Sequence, residues 1–335
     1  MSKKVILLTN LGSPNSFQVR DVRKYLREFL MDKRVIDLPF LSRWLLVNGI
    51  IAPFRAPRSA KKYKTIWTKE GSPLIVLTQK LVEKVAHATG LSTYMCMRYG
   101  SPSPKVAFEK IVSENPNVEE VVLFPLYPHY AMSSYETAVE HVKQWWQRGN
   151  YNFKLTVVEP FYNHPLYIKA LAETIKPFLE DEYDHLLFSY HGVPERHILK
   201  SDPTGQHCLK TEDCCRQPSG AHKYCYRHQV FETTRLVVRQ LQIPDNKYSV
   251  SFQSRLGNDK WLGPATADVL SQLPMRGVKN LLVVTPAFVS DCLETLEEIR
   301  QEGRETFLSA GGEKYQHIPC LNLDDTWVNT IAKLI

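Results

Sequence analysis

The sequence predicts an α/β protein built of two similar halves, each a four-stranded parallel sheet flanked by helices, with the active-site cleft between them. Short apolar runs alternate with longer helical patterns along the 335 residues, and strands separated by helices pair in parallel with helices on both faces. The runs fall into two sets of four. The sets also share details: the third run of each ends in an apolar–Pro–apolar turn ("FPLYP" and "TPAF"), and the second ends with Arg and Gly ("RYGS" and "SRLG").

The first run, "VILLTN" (5–10), reads as a strand. Its apolar stretch is too short for a secretory signal, and no small-residue cleavage site follows. A helical pattern at 21–30 precedes the longest apolar region, "VIDLPFLSRWLLVNGIIAPF" (35–54). Asp37 and Arg43 within it would each cost roughly 2.5–3.5 kcal/mol near a bilayer centre, so it is expected not to span. The basic stretch "RAPRSAKKYK" (55–64) follows directly. Apolar then basic suits a surface that dips into lipid headgroups; a core helix with a solvated flank is the alternative. A helical pattern at 74–88 leads to the runs "STYMCMRY" (92–99) and "EVVLFPLY" (120–127), and another at 135–147 leads to "FKLTVVEP" (153–160). The second set is "HLLFSYHG" (185–192), "YSVSFQSR" (248–255), "NLLVVTPAF" (280–288) and "YQHIPCLN" (315–322), with helical patterns at 228–241, 264–273 and 293–303. The expected halves are 1–160, joined by a last helix at about 323–335, and 161–322.

Ligands of such sheets sit beyond the carboxyl ends of strands, and a two-domain chain offers a cleft. No G-x-G-x-x-G follows the first strand, so nucleotide binding is not supported. The net charge of +7 fits an anionic ligand or surface. No block of six like charges occurs, and nucleic acid is not an expected partner.

His191 ends a buried strand before a Gly turn, where a base or metal ligand is useful; the bland alternative is a hydrogen bond to a loop. In "TPAFVSDCLETLEEIRQ", Ser290 or Asp291 suits a helix cap. Asp291, Glu294 and Glu298 share one face at α-helical spacing, with Glu297 beside it. The helix dipole accounts for Asp291 and in part for Glu294. Stacked carboxylates beyond that make a path for a divalent cation. One imidazole plus one carboxylate suits a metal in transit better than a resident one. Tyr127, Tyr130, Met132, Tyr135, Trp261 and Phe288, with Phe40, Leu41, Trp44 and Leu45 of the apolar region, are each core by default. Together they are suited to wall a flat hydrophobic ligand. Arg98, Ser133, Ser134 and Arg255 are placed for its anionic edge.

The stretch "CLKTEDCCRQPSGAHKYC" holds Cys208, Cys214, Cys215 and Cys225, four of the seven cysteines. An odd count clustered in one loop is not a secreted disulfide framework, so a reducing cytoplasm is expected. The spacing C-x5-C-C-x9-C is neither zinc-ribbon nor ferredoxin spacing. Four thiolates in one loop favour a soft metal. Adjacent Cys214 and Cys215 suit the two irons of a [2Fe–2S] cluster, with zinc and no metal as alternatives.

The segments "NLGSP", "RYGSPS", "LYPHYA", "SYHG", "FQSR", "WLGP" and "DCLETLEEI", in that order from about residue 5 to 322, resemble the ferrochelatase family, most of all the type found in Gram-negative bacteria. The resemblance implies two Rossmann-like domains and insertion of Fe2+, as substrate, into protoporphyrin IX to give protoheme. It places His191 at the family's histidine and Glu294 at its catalytic glutamate, with Asp291 and Glu298 in the acidic line behind. It places Arg98, Tyr127, Trp261 and Phe288 in the porphyrin pocket, and residues 35–54 as the lip that covers it and touches the membrane. His191 then accepts a pyrrole proton, and the acids guide metal in or protons out. Some bacterial members carry an internal cysteine-rich insertion that binds [2Fe–2S], and residues 201–227 resemble one. Cys292 stands where animal members have histidine, and Leu11 where some Gram-positive members have tyrosine, so those accessory roles do not carry over. The implied location is cytoplasmic, peripheral on the inner face of the membrane. The competing readings are a chelatase for cobalt or coproporphyrin, and a non-catalytic haem-binding or iron-sensing protein. Oligomeric state is not legible.

Overall fold

The computed structural model describes residues 3–255, 257 and 259–335. Eight strands form two four-stranded, wholly parallel sheets. Strands β1 (Lys4–Asn10), β2 (Thr93–Met97), β3 (Glu120–Pro125) and β4 (Lys154–Val157) make the first, in the order β2-β1-β3-β4. Strands β5 (His185–His191), β6 (Tyr248–Gln253), β7 (Asn280–Val284) and β8 (Lys314–His317) make the second, in the order β6-β5-β7-β8. The two orders are the same, so the repeat seen in the sequence is a repeat of topology. The central strands β1, β3, β5 and β7 are almost wholly buried, as parallel strands covered on both faces must be.

The first sheet carries helices α1 (Val19–Leu30), α2 (Phe40–Leu45), α3 (Ala52–Ile66), α4 (Pro73–Thr89), α5 (Pro104–Glu114) and α6 (Thr137–Arg148). The second carries α7 (Pro165–Ile175), α8 (Glu195–Ser201), α9 (Tyr226–Leu241), α10 (Thr266–Gln272) and α11 (Arg304–Ser309). The last helix, α12 (Asp325–Leu334), packs on α4. Each helix buries one stripe: α1 turns Val22, Tyr25, Leu26 and Leu30 inward and leaves its charges outside. α4, α5 and α7 each open on a proline, whose missing N–H is an unused donor there. Gly90 ends α4 at φ 67°, a conformation that favours glycine.

By contact the chain divides into two compact units. One gathers the chain up to Tyr127, Met132–Glu159 and Leu323–Ile335; the other takes Pro128–Ala131 and Pro160–Asn322. The short 128–131 segment thus belongs with the second unit although its neighbours on both sides belong to the first. The run expected at 315–322 forms a strand only over Lys314–His317; Ile318 N still bonds Val283 O, and Pro319 has no N–H to carry the ladder on.

Candidate active site

In the second unit, three strand ends lie side by side because β5 is flanked by β6 and β7. His191 is the last residue of β5 and stands opposite Gln253 of β6. Its Nδ1 lies 2.6 Å from the carbonyl oxygen of Gly192. A carbonyl only accepts, so Nδ1 carries a proton, and Nε2 is the nitrogen that offers a lone pair when the imidazole is neutral. The ring packs against Phe288 at 6.2 Å between centroids. Gly192 is glycine for want of room: a Cβ there would lie 2.8 Å from Gln253 O and 3.2 Å from the Trp261 ring.

Glu294 begins a π-helix, Glu294–Gly303, that follows β7. The spacing predicts α-helical turns here, and the helix is instead of the wider π type. It occupies the expected 293–303, with π turns from Glu294 on; Leu296 N bonds Cys292 O, and Thr295 Oγ1 accepts from Cys292 N at 3.0 Å. Neither Ser290 nor Asp291 caps it; the residue ahead of the π-helix is Leu293. Asp291 lies ahead of the helix, buried, and accepts from Thr295 Oγ1 at 2.8 Å and Asn322 Nδ2 at 2.6 Å. Glu294 and Glu298 remain one turn apart, while Glu297 is buried.

Glu298 is tied to β6: Ser254 donates to its carboxylate from the backbone N at 2.7 Å and from Oγ at 2.5 Å. Ser254 adopts φ +66°, an unfavourable left-handed conformation for a side-chain-bearing residue. That turn aims both donors at Glu298. Burial lifts the Glu298 carboxyl above its usual range, against the Ser254 hydrogen bonds and the His191 charge; Glu294 raises it further. Glu298 thus senses both residues. Gln253, which sequence reasoning passed over except within "FQSR", joins the three strand ends. Its side chain accepts from Ser189 Oγ at 2.8 Å and donates to Glu294 O at 3.4 Å, and its backbone O accepts from Gly192 N at 2.7 Å. Trp261 and Arg255 line a small cavity with Gly192 and Gln253.

In the first unit, Arg98 is not free at a pocket edge. Its guanidinium donates to Asp32 Oδ2 at 2.6 Å and Thr137 Oγ1 at 2.7 Å, and lies over the Tyr99 ring. Burial would raise the Asp32 carboxyl, but hydrogen bonds from Thr137, Arg34 N and Tyr99, with the Arg98 charge, outweigh it and hold it below its usual range. Tyr127 and Ser133 are half-buried, and Ser133 lies in a second π-segment, Met132–Glu136. The apolar region forms α2, a third π-segment (Leu46–Ile51) and α3. It turns Val47, Ala52, Ala56 and Tyr63 inward and leaves Phe40, Trp44 and Phe54 exposed at 66%, 46% and 74%. Arg43 is buried, donating to Ile36 O and Leu38 O. Among the described residues no helix is long and apolar enough to cross a membrane.

The cysteine loop is closely tied to its surroundings. Cys225 lies close enough to Cys208 and Cys215, and Cys214 to Cys215, to influence their ionisation. Burial pushes the Cys208 thiol up to about 11, and contact with Cys225 raises Cys215, as does burial. Arg227 Nη1 points at Cys214 Sγ (3.5 Å) and Cys215 Sγ (3.4 Å). Three imidazoles grip the loop's carbonyls: His207 and His222 donate to Cys214 O at 2.8 and 3.3 Å, and His228 to Cys215 O at 2.8 Å. Asp202 accepts from the backbone of Thr204, His207 and Cys208. Among the described residues no group of three or more His, Cys, Asp or Glu is arranged to hold one metal ion.

The sequence matches the ferrochelatase family over residues 3–335. It is 46% identical over 338 residues to the ferrochelatase of Opitutus terrae, with 100% of this chain and 97% of that protein covered. It is 46% identical over 336 residues to that of Pseudomonas fluorescens strain Pf0-1, with 100% and 98% covered. Among solved structures, SirB from Bacillus subtilis with Fe3+ aligns at a TM-score of 0.56 and 11% identity over 99% of this chain and 94% of that one. A likeness at that identity bears on the fold alone.

Proposed function

The chain belongs to the ferrochelatase family, and from that premise we propose that it inserts Fe2+ into protoporphyrin IX with His191 as proton acceptor and Glu294 and Glu298 as the acidic route beside it. The observation that carries this assignment is the convergence on the end of β6, where Gln253 stands opposite His191 and donates to Glu294 O, and Ser254 holds Glu298; Glu298 is acted on by the charges of both His191 and Glu294. Porphyrin nitrogens lie in a rigid plane and two carry protons. A metal enters once the ring is bent so that lone pairs point out of the plane, a distortion of about 1–5 kcal/mol that remote contacts supply. Tyr127, Ser133, Trp261, Phe288, Phe40 and Trp44 are assigned to those contacts, and Arg98 acts there through the Asp32 network. The free Nε2 of His191 then takes a pyrrole proton. A Glu298 carboxyl that burial holds toward its neutral form exchanges that proton onward, and Asp291 forms the buried end of the same line.

The experiment is His191→Ala, assayed anaerobically with Fe2+ and protoporphyrin. Loss of a positioned base costs about 10²–10⁴-fold, so turnover is expected to fall at least 100-fold while porphyrin binding, followed by fluorescence quenching, stays within threefold. Near-normal turnover would remove His191 from the chemistry.

The cysteine loop is assigned a [2Fe–2S] cluster held by Cys208, Cys214, Cys215 and Cys225. Such a cluster takes two thiolates per iron, so a set of three ligands around one ion is not required of it. The thiols are neighbours, and Arg227 supplies N–H donors to two sulfurs, the kind of outer contact that tunes such a centre. When bound it supplies one-electron redox chemistry, which metal insertion does not use. The exposed apolar face of residues 40–54, followed by the basic 55–64 stretch, is assigned to peripheral contact with an anionic membrane from the cytoplasmic side.

A further inference from the structure

We infer that Tyr226 is a positioning residue for His191 and links the thiol loop to that imidazole; this rests on the reading of His191 as proton acceptor. The peptide that follows His191 is held at both ends. Its N–H, on Gly192, donates to Gln253 O at 2.7 Å. Its C=O accepts from the Tyr226 hydroxyl at 2.9 Å. The next carbonyl, Gly192 O, takes the Nδ1 proton of His191. A rotation of the first peptide therefore carries the second with it, and the second fixes the ring and its tautomer.

Tyr226 opens α9, and its cap is Cys225, whose sulfur accepts from His228 N at 3.4 Å. The last thiol of the loop and the hydroxyl on His191 thus belong to consecutive residues of one helical turn. The same helix also grips the 128–131 segment. Gln229 Oε1 accepts from Tyr130 N at 2.7 Å, and Thr233 Oγ1 pairs with His129 Nε2 at 2.9 Å. The Tyr226 ring meets the buried His129 ring edge-on at 5.9 Å. Whatever moves the Cys225 sulfur, a metal or a disulfide partner, therefore acts on the first turn of α9 from one side, with His191 and residues 128–131 on the other. Packed elements shift as units rather than deform continuously, and an error of about 1 Å in a positioned group costs about 10²-fold in rate.

Tyr226→Phe keeps the ring and removes one hydroxyl. The test measures turnover, KM for protoporphyrin and thermal midpoint, together with the ¹⁵N shifts of the His191 ring in histidine-labelled protein, assigned by His191→Asn. The expected result is a kcat about tenfold lower with KM and midpoint little changed, and a moved His191 ring signal. Cys225→Ser, which retains an acceptor for His228 N, should move the same signal in the parent protein and fail to move it in Tyr226→Phe. Parent-like kcat and His191 shifts in Tyr226→Phe would overturn the positioning role. Equal shifts from Cys225→Ser in both backgrounds would overturn the link. The ring shifts report on Tyr226 even if His191→Ala proved active, so failure of the His191 assignment is separately visible.

Discussion

Glu298 has its acidity set by position more than by type. Burial beside Glu294 favours its neutral form, and the two Ser254 donors with His191 favour its charged form; burial wins. A carboxyl whose folded pKa is raised costs stability once it ionises: the cost is absent below the unfolded value of about 4.3 and grows as pH rises through the folded value. Glu298→Gln has no such charge. The thermal midpoint of the variant minus that of the parent should therefore become more positive from about pH 4 toward pH 7. A flat or falling difference would mean that Ser254 and His191 outweigh burial. The places of His191 at the end of β5 and of Glu294 at the start of the helix after β7 were legible in the sequence, because buried apolar runs mark both strands. Gln253 and Ser254 were not singled out for their own roles: the first acts largely through its backbone and amide, and the second through a left-handed φ that no residue-type rule assigns to serine.

The three π-segments explain much of what periodicity misread. Leu46–Ile51, Met132–Glu136 and Glu294–Gly303 each lie in or beside a stretch that carries candidate site residues, as single π-turns often do. Their widened turns change which residues share a face, and Asp291, expected on the first turn, instead precedes the helix and is held to it through Thr295. The strands suffered no such shift, since they are read from continuous apolar runs, as buried parallel strands show, and not from a helical period. In the lip, the sequence showed apolar length but not that Phe40, Trp44 and Phe54 face outward while alanines pack inward. Replacing Ile50 and Phe54, exposed lip residues outside those assigned to the porphyrin, by Asp should abolish co-sedimentation with anionic vesicles while leaving soluble turnover within about threefold; undiminished sedimentation would remove the lip as the contact. The cysteine loop is braced by Asp202 and three histidines whatever its thiols bind. Anaerobically purified protein should carry about two irons and two sulfides per chain. Cys215→Ser should lose them along with the visible absorption, with only modest loss of stability because the brace remains. Zinc or no metal in such protein would sink the cluster.

The two units repeat one topology, yet the chain does not divide between them at one point. The first unit is closed by α12, the last segment of the sequence. Trp327 is wholly buried there, 6.2 Å between ring centroids from Phe124 on β3, and Val328 and Ile331 are buried beside it. Lys84 of α4 reaches the start of the helix at Asp325 Oδ1 (2.6 Å) and Leu323 O (2.8 Å), and Lys4 reaches its end at Ile335 O (2.7 Å). The second unit has its own core, in which Leu187, Leu281, Val283, Ile299 and Phe307 meet between sheet and helices. A large core aromatic cut to Ala costs about 3–5 kcal/mol, and stability lost in one cooperative unit need not be shared by another. Trp327→Ala should therefore raise amide exchange across β1–β4, more than 300 residues upstream of it in the case of β1, while β5, β6 and β7 keep their protection. Porphyrin insertion should fall with the first unit, because Tyr127 and Ser133, two of the contacts proposed for the porphyrin, lie in it. The ¹⁵N signal of His191, which belongs to the second, should stay in place. Equal loss of protection in both sheets would show that the molecule opens as one body and that the repeat is one of shape alone.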